Sequence, residues 1–414
     1  MPGARRRIVP LVLATTATQA TIVVLAPIVV EIGRDLEASV SAIGQGRSLM
    51  AGTAVVASLA IASAIDRIGV RRLLLWGSWF ALAGAAATAL APSLLLFYLA
   101  HILAGLGVAC LLTAGFAGVA ALFEESESAW AMSYVVGGQS IAWIAGTPLI
   151  GLLTDAGSWR LAYLVPAVAS LLALVAVLAL LPARPARGVR RTRSERAGAG
   201  AGGMLGVLRN VSARRWALAE LVAYSAWTAE LTYAGAFYVQ TYGVQETTVG
   251  FLLAIGSLAF LLSTVVARTL AKRVDRRHLI VVAALGMGVT LVPLLNLTPA
   301  VWLTLALFCV TALFAGVRTV SSSTLGLSQL PAEPGSMMAA RTASAQFGYM
   351  VGAVAGGAVL ALADFGVLGF VLLAGMALSA ALIARVSDPR GGAEAGARPS
   401  RESGSRAPAP AMAE

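Results

Sequence analysis

The chain has 414 residues, of which 58% are hydrophobic and only 12% charged, and its mean hydropathy is +0.84. A soluble chain carries about a quarter charged residues, so composition excludes water as the main solvent. The net charge of +11 and the pI near 10.6 do not indicate nucleic-acid binding, because the arginines fall in short breaks between apolar runs and not on one face of a soluble module.

A hydrocarbon core about 30 Å thick requires about 20 apolar residues per helix, and backbone groups in lipid must be satisfied internally, so the long apolar runs predict helices. The period-two alternation of an outer-membrane barrel is absent. Arg5, Arg6 and Arg7 precede an apolar stretch in the manner of a secretory signal, but the run continues past Ala20 to Val30, too long for a signal core, and reads as the first helix. Apolar runs against polar breaks place helices at 8–30, 41–65, 73–91, 94–117, 130–153 and 161–182, then at 216–239, 247–270, 279–297, 300–320, 338–362 and 366–386. The expected fold is an all-α integral membrane protein with twelve transmembrane helices. Its expected divisions are an N-terminal six-helix half (1–182), a basic central loop (183–215), a C-terminal six-helix half (216–386) and a disordered tail rich in Gly, Ala, Pro, Ser and charge (387–414). Cys110 and Cys309 sit inside apolar runs without metal-ligand spacing and read as small hydrophobes, so neither metal nor cofactor is expected.

Basic residues set the orientation. All of the thirty except Arg34, Arg47 and Arg160 are assigned to one side, including Arg318 and Arg341, so both termini are expected in the cytoplasm of a bacterium, with the chain in its inner membrane. The halves also look like repeats. Ser41-Ala42-Ile43-Gly44 and Thr247-Thr248-Val249-Gly250 share one gap-free offset with the basic turns Asp66 to Leu74 and Lys272 to Ile280. Two such halves imply a substrate site near mid-membrane on their pseudo-twofold axis.

Asp66-Arg67-Ile68-Gly69-Val70-Arg71-Arg72, between helices 2 and 3, resembles the signature of the major facilitator superfamily, with Ala62 in place of the leading Gly and Val70 displacing the Arg pair by one residue. Gly69 permits a tight turn, Arg71 and Arg72 can reach lipid phosphates, and Asp66 can face a helix N-terminus. The resemblance implies the major facilitator fold, in which this acid and base lock the halves together on the cytoplasmic side in the outward-open state. In helix 5, Gly137-Gly138-Gln139 followed by Gly146-Thr147-Pro148-Leu149-Ile150-Gly151 resembles the glycine-proline signature of the superfamily's drug/proton antiporters, with Thr147 and Leu152 where glycines stand in the family. Pro148 should bend this helix and the small residues should let it pack closely, as should Gly348, Gly352, Gly356 and Gly357 in helix 11; ordinary small-residue packing is the alternative. Ser158-Trp159-Arg160 also resembles the outer loop of the efflux families, while Trp159 alone would serve as an interfacial anchor.

Charges at membrane depth are costly, which makes each a functional candidate. Glu230 lies deep in helix 7 beside an aromatic stripe of Tyr224, Trp227, Tyr233 and Phe237. Desolvation favours the protonated form of a carboxyl, so an acid at this depth suits proton coupling, or else it sits at the outer interface with Tyr233 as belt. Glu220 is a second coupling candidate or a partner of Arg214 or Arg215. His101 stands where the resemblance places an Arg of the antiporters, and is either a proton carrier or an interhelical hydrogen bonder. Arg47 pairs with Glu31 or Glu230, or snorkels outward; Gln19, Gln139 and Gln346 line a cavity or serve as packing glue.

The expected function is proton-coupled efflux of small apolar or amphipathic molecules by alternating access, with a small-molecule substrate, protons and membrane lipids as partners, no nucleic acid, and a monomer as the working unit. The alternative is a proton-coupled or facilitated carrier of a specific metabolite such as a sugar, amino acid or organic anion, with Arg47 and Arg318 binding a carboxylate. A membrane enzyme or sensor is the remote alternative, since no phosphate-cradling loop or metal-spaced cluster is present.

Overall fold

The computed structural model describes residues 2–181, 206–270, 274–331 and 334–388, with side chains undescribed at 2–5, 62–66 and a few other helical positions. The expected central loop therefore lies outside the described residues up to 205, as does the expected tail beyond 388. Among the described residues every regular element is helical: α1 Pro2–Val23, α2 Leu25–Asp35, α3 Val40–Ile68, α4 Val70–Ala89, α5 Leu94–Leu122, α6 Glu125–Ile141, a π-helical turn Ala142–Gly146, α7 Thr147–Ala156, α8 Trp159–Ala162 and α9 Leu164–Leu180. The second half follows as α10 Val211–Tyr242, α11 Glu246–Leu270, α12 Arg276–Asn296, α13 Val301–Gln329, α14 Pro334–Leu362 and α15 Phe365–Ala384.

These elements amount to twelve spans. Eight helical stretches are long and apolar enough to cross a membrane by themselves, and the bent pair α1–α2 makes a ninth. The remaining three, α3, α4 and α10, have 29, 20 and 32 residues. α3 and α10 are less apolar because they carry Arg47, Glu220 and Glu230, whose side chains are buried in the bundle.

Local chemistry explains the breaks. The 43° bend at Val24 lies where the ring of Pro27 meets the carbonyl four residues earlier, at Val23. Helix 1 is thus two segments, not the single run expected over 8–30. Pro148 acts on Ile144 in the same way, and the chain accommodates it with the π turn. Gly69, at φ 84°, makes the left-handed turn between α3 and α4. Asn210, Asp275 and Asp364 accept backbone N–H bonds at the starts of α10, α12 and α15.

The core shows how the halves meet. At the end opposite the termini one apolar cluster runs through both halves, with Ile28, Ile43, Trp159, Phe237, Leu252 and Phe308 among its members. At the end bearing the termini the core divides into separate clusters, one around Leu11, Leu74 and Leu111 and the other around Trp216, Ile280 and Leu325. Among the described residues the core joins the halves at one end and is separate at the other.

Candidate functional site

Two seams close the joined end, and each is opened by one of the repeated tetrapeptides. In the first, the Ser41 hydroxyl donates to the Gly357 carbonyl at 2.6 Å, and Tyr233 lies against Gly44 while its hydroxyl donates to the Ala353 carbonyl at 2.9 Å. In the second, α7 meets α11. The Thr147 hydroxyl shares its proton between the Trp143 carbonyl, at 2.7 Å, and the Gly250 carbonyl, at 2.9 Å, and an Asp155 carboxylate oxygen accepts from the Thr247 N–H at 3.0 Å. A Cβ on Gly250 would lie 2.3 Å from the Thr147 carbonyl oxygen, and one on Gly151 2.3 Å from that of Glu246. Glycine is required at this crossing because backbone touches backbone. Thr147, which departs from the antiporter pattern, supplies a hydrogen bond between the halves.

The other motif glycines divide by position. The Gly138 carbonyl accepts from Thr16 at 2.8 Å, Gly352 and Gly356 pack on Ser225 and Ala229 of α10, and Gly146 ends the π turn. Gly137 is exposed and has no neighbour in contact. At the turn after α3, Arg67 and Arg72 are exposed while Arg71 Nε donates to the Leu181 carbonyl at 2.9 Å. The Asp66 side chain lies outside the described residues.

Below the seams, a pocket between the halves is lined by Ile22, Arg47, Met50 and Val108 from the first half and by Gln346 and Tyr349 from the second. Arg47 is 3% exposed and donates to the Ile22 carbonyl at 3.0 Å, with its guanidinium 5.9 Å from the Tyr349 ring centroid. Its Nε and the Gln346 Nε2 are buried without a hydrogen-bond partner. Tyr349 meets Tyr224 edge to face at 5.7 Å, and the Tyr224 hydroxyl accepts from Arg341 at 2.9 Å. Arg318 also lies over the Tyr224 ring, at 5.4 Å. It donates to Glu220 Oε1 at 2.5 Å, and Ser322 donates to the same oxygen at 2.8 Å.

Several expectations change here. Glu220 pairs with Arg318, not with Arg214 or Arg215. Arg47 pairs with neither acid proposed for it, since Glu31 lies near Arg34 and Glu230 is elsewhere. Arg318 and Arg341, counted with the basic residues of one side, lie inside α13 and α14, Arg318 buried and Arg341 half-buried, and α13 continues to Gln329, well past the expected end at 320. Glu230 does not face the pocket between the halves. It points into the C-terminal half, among Phe237, Tyr238, Leu294, Phe365 and Leu368, where its Oε2 has no hydrogen-bond partner. The aromatic stripe divides as well: Tyr233 joins a seam, Trp227 stacks on Phe308, and only Tyr224 reaches the charged cluster.

His101 is buried inside the first half, its Nδ1 2.9 Å from the Phe97 carbonyl and its ring on Phe97. Gln19 accepts from Trp143 Nε1 at 3.3 Å, and Gln139 is half-buried on α6. Arg341, Tyr349 and Ser322 escaped sequence reasoning. The signal for Arg341 was helix length, since it lies about two turns inside α14. Among the described residues no group of His, Cys, Asp and Glu is arranged to hold a metal.

The family model described as Major Facilitator Superfamily matches the sequence twice, over residues 11–245 and 216–412. No curated protein matches it. The fold is similar to the crystal structure of a D-xylose-proton symporter, with 15% identity, 92% of this chain and 98% of that one covered, and a TM-score of 0.76. It is also similar to a bacterial homolog of the human lysosomal transporter Spinster in an inward-facing and unoccupied conformation (15% identity, 93% and 95% covered, TM-score 0.70). A mutant of the nucleoside transporter NupG is a third (11% identity, 91% and 98% covered, TM-score 0.73). At these identities the likeness is one of fold.

Proposed function

Because the chain belongs to the major facilitator superfamily, we propose that it is a secondary transporter that binds a small polar solute between its halves, at Arg47, Gln346 and Tyr349, and carries it by alternating access. The observation that carries this reading is the pair of buried donors, Arg47 Nε and Gln346 Nε2, which lack protein partners in one pocket lined by both halves. Buried polar groups without partners are costly, and a solute that accepts from both offsets that cost in the loaded state. A site divided between two rigid bodies also meets the main requirement of alternating access, since its two walls separate when the bodies rock. The moving bodies are 1–182 and 216–386, linked by the basic segment 183–215.

The preponderance of arginine near the split end supports cytoplasmic termini in a bacterial inner membrane. The split end then faces the cytoplasm and the seams close the far side, an inward-facing arrangement. Two of the similar structures are named for polar metabolites, D-xylose and nucleosides, and a polar solute suits this pocket for its own reason, the unpartnered donors.

Proton-driven efflux of apolar molecules by a monomer is the second reading. It is favoured by the tight approach of Gly151 and Pro148 to α11, on the helix that resembles the antiporter signature, and by Glu230, a buried carboxyl that could hold a proton. Reconstituted protein separates the two. Counterflow of polar solutes that is lost in Gln346→Ala supports the first. Gradient-dependent accumulation of apolar dyes, indifferent to Gln346→Ala but abolished by Glu230→Gln, would overturn it in favour of the second.

A further inference from the structure

The charges around the pocket do not balance. In the C-terminal half, Glu220 gives one oxygen to Arg318 and Ser322, while its other oxygen is 3.9 Å from Arg341 Nε, beyond hydrogen-bond length. One carboxylate therefore stands against two guanidiniums. In the facing half, no carboxylate among the described residues pairs with Arg47, whose company is a backbone carbonyl and the Tyr349 ring. Two positive charges are left without counter-charge, one on each side of the gap. Arg341 keeps 22% of its side chain exposed, but Arg47 is buried, and a buried guanidinium without an anion is among the most expensive arrangements in a low-dielectric interior, a cost that a ring face offsets only in part.

The fully buried atoms left without a partner at the pocket are also of one kind. Arg47 Nε and Gln346 Nε2 can only donate. A carboxylate is acceptor-only and fits two converging N–H groups, one of them on a cation, which a neutral hydroxyl does not match in strength. The rest of the lining is apolar, from Ile22, Met50 and Val108. That combination suits a charged head on an apolar body.

We propose that the transported solute is a small organic monocarboxylate, its carboxylate held by Arg47 and Gln346 and its apolar portion set against Met50 and Val108, with Arg341 drawing anions in from the split end. This rests on the reading that the solute binds between the halves.

The test uses purified full-length protein in nanodiscs, titrated with benzoate, hexanoate and lactate, each against its uncharged amide, and with inorganic phosphate; binding is followed by intrinsic tryptophan fluorescence. At least one carboxylate should bind about a hundredfold more tightly than its amide, the factor for a charge-assisted hydrogen bond. Arg47→Gln should remove that preference, and Arg47→Lys, which keeps the charge but not the fork, should retain part of it. Should Arg47→Gln not fold, the acid-to-amide ratio in the unaltered protein and in Gln346→Ala still decides. The proposal falls if no carboxylate binds, if amides bind as well as acids, if phosphate binds as tightly as any carboxylate, or if the preference survives in Arg47→Gln. A neutral sugar or nucleoside whose flux is lost in Gln346→Ala would overturn the anion while leaving transport between the halves intact. Flux of any solute that ignores both Arg47 and Gln346 would overturn both.

Discussion

Substituting Gly250 by alanine should open the joined end. The added Cβ would stand 2.3 Å from the Thr147 carbonyl oxygen and 2.9 Å from Pro148 Cα, whereas ordinary contact begins at 3.4 Å. Both neighbours are backbone, so no side chain can turn away, and α7 and α11 must part by about 1 Å, an overpacking cost of about 1–3 kcal/mol. Parting them also stretches the Thr147–Gly250 hydrogen bond, which adds about 1 kcal/mol. The penalty, about 2–4 kcal/mol in all, falls only on the state in which this seam is closed, so the equilibrium should move toward separation of this end by roughly 30- to 700-fold. Spin labels at Leu90 and Leu362, exposed residues at the ends of α4 and α14, report the opening as a longer distance. Gly137→Ala is the control: it has nothing in contact and should leave the distance unchanged. Distance distributions for Gly250→Ala that overlay the unaltered protein, with an unchanged unfolding temperature, would refute the assignment of this crossing as the closed gate.

Thr147→Val should shift the same distance distribution in the same direction by about fivefold, the worth of one hydrogen bond, with little loss of fold stability. Glu220→Gln leaves Arg318 as an uncompensated buried cation and should lower unfolding stability by about 3–5 kcal/mol, while the double variant Glu220→Gln with Arg318→Met should recover most of it; equal losses in both would dismiss the ion pair as a structural element. Glu230→Gln removes a carboxyl that has an unpartnered oxygen in an apolar pocket, so its stability should be unchanged or higher and its solute binding between the halves unaffected. A loss of binding there would connect Glu230 to the pocket against the geometry.

The helical spans, the division into halves and the glycines of the seams follow from the sequence because each has a one-dimensional signature. Hydrocarbon thickness sets run length, and the shared offset between Gly44 and Gly250 marks two crossings that face the same steric demand. The bend at Val24 was also implicit, in Pro27. The environment of the charged residues was not. Around Glu230 every residue of α10 from Thr228 to Val239 is buried, so no apolar stripe reveals which way the helix is turned, and periodicity cannot tell an acid facing the other half from one facing its own. Hydropathy likewise ended helix 10 near residue 320, ahead of a Ser- and Thr-rich stretch that α13 in fact includes, and so left Arg318 at the helix end among the basic residues of one side, when it lies more than two turns inside. Only tertiary packing brings Arg318 to Glu220 across 98 residues, and Arg47 to Tyr349 across the gap between the halves. A polar residue's hydropathy records what its transfer from water costs, and which partner offsets that cost is fixed by rotation and contact in three dimensions.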